Sequence, residues 1–77
     1  MDWEKAFRIA VLASLLAERY REIPRTDVMN LHNAVETRNE TQFMEHLIWV
    51  LKAVVVNEIE KKDKDAEELM KLVNELF

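Results

Sequence analysis

Not one of the 77 residues is glycine, and Pro24 is the only proline. Glycine supplies the positive-φ backbone and the close backbone approach that phosphate-cradling loops, dinucleotide fingerprints and two-residue β-hairpins require. A chain of this length at average usage carries about five glycines. Their absence excludes those classes of site and leaves helices joined by short irregular connectors. Cysteine is absent too, so no disulfide or thiolate metal site can brace the chain, and two histidines alone cannot build a structural zinc site. A domain of this size barely offsets chain entropy with one core. Close helix packing or association with another chain must supply its stability.

Asp2 is placed to cap a first helix over residues 3–22, which ends where the residue before Pro24 leaves helical geometry. Ile9, Leu12, Leu16, Tyr20 and Ile23 share one flank of it, Trp3 and Phe7 the other. Between them run Ala6, Ala10, Ala13 and Ala17 at spacings of 4, 3 and 4, a line along which another helix can approach closely. Val11 and Leu15 form a small apolar pair on the otherwise charged side and mark a second contact.

Thr26 or Asp27 caps a short second helix over 27–37, with Val28, Leu31, Ala34 and Val35 on its buried stripe. A third helix over 40–60 begins at a capping box made by Thr37 with Glu40 or by Asn39 with Gln42. Phe43, Leu47, Ile48, Val50, Leu51, Val54 and Val55 cover about half its circumference, and Trp49, Ala53 and Val56 lie opposite. A charged connector from Glu60 to Asp65 leads to a fourth helix over 65–77, capped by Asp65 with Glu68 and striped by Leu69, Leu72, Val73, Leu76 and Phe77.

The fold class that follows is all-α: a small bundle of three to four helices in a single domain spanning 1–77, completed by homodimerisation. So short a chain cannot cover both faces of its first and third helices. Exposed Trp3, Phe7, Trp49 and Val56 would form a patch that monomers in water rarely carry. The candidate interface residues are Trp3, Phe7, Ala10, Val11, Leu15, Trp49, Ala53 and Val56, with the two tryptophans as anchors. The expected role is that of a non-enzymatic interaction module: an adaptor, small subunit or regulator whose partner is a second copy of itself, with another protein as a further partner.

Chemistry is sparse. His32 with Glu36, and Glu45 with His46, have neither zincin nor carboxylate-bundle spacing, and both histidines read as surface or boundary residues rather than metal ligands. Ser14 has no histidine or carboxylate at helical spacing and reads as bonding back to a carbonyl of its own helix. No activated nucleophile is recognisable, and no cofactor or small-molecule substrate is expected. Asn39-Glu40-Thr41 fits a glycosylation acceptor but reads as the start of a helix.

Net charge is −4, with six basic and six acidic residues in 1–38 against five and nine in 39–77. Such a balance disfavours nucleic-acid binding by counterion release. The one basic group is Arg19, Arg21 and Arg25 with Tyr20 interleaved, which defines an alternative function: a small subunit of a nucleic-acid-associated complex that touches phosphates through these arginines. Glu18, Glu22 and Asp27 dilute the group, and a helix-turn-helix reading would put Glu40 and Glu45 toward the phosphates. The stretch from Ile23 to Val54 loosely resembles the small all-helical subunits that line CRISPR effector complexes, with no family-specific motif to accompany it. Ile9 to Ala17, the longest uncharged apolar run, is far short of the ~20 residues that span a bilayer. Asp2 and Glu4 spoil a secretory leader, so the expected location is cytoplasmic.

Overall fold

In the computed structural model, which describes residues 1–77, the Asp2 carboxylate accepts hydrogen bonds from the Glu4 and Lys5 amides at 3.1 and 3.2 Å and starts α1 (Trp3–Arg19). The helix stops short of the expected residue 22. Tyr20 leaves helical geometry (φ −125°, ψ 115°), its hydroxyl donates to Asp63 at 3.0 Å, and the turn that follows returns Ile23 to the core. Pro24, rather than Thr26 or Asp27, is the N-cap of α2 (Arg25–Thr37): its carbonyl accepts from the Val28 amide at 3.1 Å. Proline suits that place because it has no amide to leave unpaired.

Asn39 starts α3 (Glu40–Val56) by accepting from the Gln42 amide at 3.0 Å, but the expected capping box is not closed: the Gln42 side chain bonds Asn30 and Asn33, and the Asn39 amide donates to the Ala34 carbonyl. Thr37 donates instead to the Asn33 carbonyl. The helix ends at Val56, not at 60. Glu58 turns left-handed, and a 3₁₀ turn, Ile59–Lys61, buries the Ile59 side chain completely. The cap of α4 (Lys64–Leu76) is Asp63 rather than Asp65; it accepts from the Asp65 amide at 2.9 Å. Without glycine, the left-handed positions that close α2 and follow α3 fall to Arg38 (φ 55°) and Glu58 (φ 54°), at a cost of about 1 to 2 kcal/mol each. Arg38 recovers part of this. Its guanidinium donates to the Val35 carbonyl and lies 5.6 Å from the centroid of the Trp3 ring.

The helices alternate in direction. Ser14 with His32 and Arg25 with the Ala17 carbonyl run α2 back along α1; Asp27 with His46 and Asn33 with Gln42 run α3 back along α2; Lys5 with Glu75 and Arg19 with Asp63 set α4 against α1. α1 therefore packs between α2 and α4, and α3 packs on α2. The seam between α3 and α4 is the loosest around the bundle, and α1 and α3 sit diagonally across it.

Every buried residue is apolar. Ala6, Ala10 and Ala13 are wholly covered and Ala17 nearly so, which makes the alanine line the place where α1 meets its own neighbours. Val28, Leu31, Ala34 and Val35 form the expected stripe of α2, and Phe43, Leu47, Val50 and Val54 the inner stripe of α3. Ile48 and Val55, expected beside that inner stripe, face outward, and so does Phe77 at the end of α4.

Arg19 ties the end of α1 to the start of α4, reaching Asp63 at 2.8 Å and Asp65 at 2.5 Å. Burial opposes the charge on Asp63, but hydrogen bonds from Arg19, the Asp65 amide and Tyr20, together with the positive charge of Arg19, outweigh it and hold the carboxyl below its usual range. The same bond to Asp63 pushes the Tyr20 phenol up.

Two predictions follow from these contacts. Replacing Ala10 or Ala13 by leucine forces α1 from its neighbours and costs about 1 to 3 kcal/mol by overpacking, measured by thermal or urea unfolding. Asp63→Ala costs about 1 to 2 kcal/mol from the lost cap alone, whereas Asp63→Asn keeps the cap and loses the charge. Because Asp63 has its pKa lowered on folding, its charge contributes fully above the unfolded value of about 3.9 and is lost as pH falls through the lower folded value. The gap in stability between wild type and D63N is therefore open at neutral pH and closes below about pH 4.

Candidate interaction surface

The outer side of α3 carries the most exposed apolar surface on any helix of the bundle. Ile48 is 62% exposed, Trp49 52%, Val55 51% and Val56 68%. The periodicity that produces this is simple. Phe43, Leu47, Val50 and Val54 recur at 4, 3 and 4 and are buried; Met44, Ile48, Leu51 and Val55 repeat that spacing one residue later, about 100° round the helix. α4 reaches only the edge of this second stripe. A groove along the loose seam is lined by Met44, Leu47, Ile48, Leu51, Val73 and Phe77, with no polar side chain among them.

A third stripe, Glu45, Trp49, Lys52 and Val56, follows one residue later again and faces away from the core. Lys52 lays its ammonium 5.4 Å from the Trp49 ring centroid. Trp49, Ala53 and Val56 come together, as the sequence expects, in a shallow hollow closed by Glu22, Pro24, Asp27, Lys52 and Asn57. Asp27 holds His46 at 2.8 Å at the side of this hollow.

The other candidate residues lie elsewhere. Ala10 has no exposed surface and is corrected from interface to core, because the alanine line is taken up inside the chain. Trp3 is half-buried, its ring edge-on to Phe43 at 6.3 Å and 82°, with Arg38 over it. Phe7 is more than half exposed beside Trp3, Glu4, Arg8, Val35 and Arg38. Val11 is half-buried and Leu15 exposed, on the outer side of α1. Since α1 and α3 are diagonal neighbours, no single flat interface contains both sets.

Among the polar candidates, Arg19 is committed to Asp63 and Asp65, and Arg25 donates to the Ala17 carbonyl at 3.4 Å, closing the end of α1. Arg21 is exposed in the turn. Ser14 does not bond back along its helix: its Oγ lies 2.6 Å from His32 Nε2. This pair spans two helices and is invisible to spacing within one. No carboxylate orients His32, and the amides next to Ser14 are spent inside α1, so the pair has neither the third member nor the oxyanion donors of an acyl-transfer site. Glu36 is exposed and does not reach His32, and His46 pairs with Asp27 rather than with Glu45. No three His, Asp or Glu side chains converge as metal ligands would.

No helix is long and apolar enough to cross a membrane. Comparison with protein-family models, with characterised proteins and with solved structures finds no match to this chain.

Proposed function

We propose that the chain is a non-enzymatic helical interaction module that works as a homo-oligomer, burying the outer face of α3 and the adjoining end of α4 against another chain. One observation carries this reading. Ile48, Trp49, Val55 and Val56, all more than half exposed, stand on one helix, with Ile48 lining a wholly apolar groove on one side and Trp49 and Val56 a hollow on the other. Covering large apolar side chains stabilises an association by about 25 cal/mol per Å² removed from water, and tryptophan is among the commonest anchors of such an interface. The α1 side offers less, because Trp3 is already packed on Phe43 and the alanine line is spent within the chain. Arg19 and Arg25 have intramolecular partners, which leaves Arg21 alone of the three arginines for the phosphate-binding alternative.

The test is mass in solution. Sedimentation at tens of micromolar is expected to give twice the 9.2 kDa of one chain, and Ile48→Asp with Val56→Asp to give one chain of unchanged helix content by circular dichroism. A wild-type mass of one chain across that concentration range overturns the reading.

A further inference from the structure

The charges on the α3 face specify how a second copy must lie. Glu45 and Lys52 are seven residues apart, two turns of helix, and so stand almost in line. Both are exposed, and neither belongs to any ion pair within the chain. Lys52 instead rests against the Trp49 ring. They sit between the two strips of exposed apolar side chains, Met44, Ile48 and Val55 on one hand and Trp49 and Val56 on the other.

A two-fold pair of parallel α3 helices would set Glu45 against the partner's Glu45 and Lys52 against the partner's Lys52. Like charges enclosed by apolar side chains repel strongly, because little water is left to screen them. An antiparallel pair has the opposite result. With the two-fold axis passing midway between the charges, at the level of Ile48 and Trp49, each Glu45 meets the partner's Lys52, and like strips meet like: Ile48 lies beside the partner's Ile48 and Trp49 beside the partner's Trp49.

We propose that the second copy docks α3 against α3 in this antiparallel register, with two symmetry-related Glu45 to Lys52 pairs fixing its direction. The proposal rests on the self-association argued above, and it adds the orientation and the residues that choose it. The apolar strips supply the association; the charges reject the parallel and slipped arrangements.

Charge reversal tests it. By sedimentation equilibrium in low salt, Glu45→Lys alone and Lys52→Glu alone should each weaken the wild-type dimer at least about tenfold, and the doubly reversed chain should return to within about threefold of wild type. The losses should shrink as salt is added. A spin label on Thr41→Cys, in a chain with no other cysteine, reads direction independently. The antiparallel register sets the two labelled positions about 22 Å apart along the helix axis, the parallel one side by side at about 10 Å. A stable wild-type dimer whose affinity is indifferent to all three charge variants, or whose labels lie at about 10 Å, overturns the register and leaves self-association standing. A wild type that stays a single chain removes both.

Discussion

Two helices can lie against α1 because Ala6, Ala10, Ala13 and Ala17 present almost no side chain between them and its backbone. Larger residues on one side of that line, Ile9, Leu12 and Leu16, then reach into the space the helices enclose. The chain has no disulfide, and every residue in its interior is apolar. Dispersion and the removal of apolar surface from water must hold it together, and both demand this close approach. The polar clamps work at the periphery: Arg19 on Asp63 and Asp65, Arg8 on Glu68 at 3.1 Å, and Lys5 on Glu75 at 3.4 Å fix α4 along α1 without entering the core.

With α1 occupied on two sides, the chain has nothing left to cover the outside of α3. Its inner stripe is satisfied by α2 and the core, but α4 is held to α1 by those ion pairs and meets α3 only loosely. The second apolar stripe of α3 is thus a consequence of the same packing that makes the fold stable. The outer face of α4 is different, carrying mostly lysine and glutamate where α3 carries Ile48, Val55 and Val56.

Most of this was legible from local patterns. The alanine line, the Asp2 and Asn39 caps and the buried stripe of α2 depend on residues within one or two turns of each other, and periodicity reports them faithfully. What periodicity could not separate was the two apolar stripes of α3. Both have helical spacing, and only the positions of α2 and α4 decide that Leu47 is inside and Ile48 outside. Tertiary partners also hid the breaks in the chain. Tyr20 is drawn out of α1 toward Asp63, and Asn57, Glu58 and Ile59 look helical in sequence until Ile59 is required in the core. The same holds for Ser14 with His32 and for Arg19 with Asp63, pairs joined across helices and separated by long stretches of chain.

If α3 faces a second copy, atoms of two different molecules must come within a few ångströms. Mixing isotope-labelled with unlabelled chain and recording only magnetisation that crosses between them detects such contacts directly. Transfer is expected from the Ile48 and Val56 methyl groups of one chain to the outer face of α3 in the other, the Trp49 ring included, and none from Ala10 or Leu31. Complete absence of intermolecular transfer at millimolar concentration, with a tumbling time of a single chain, would contradict it.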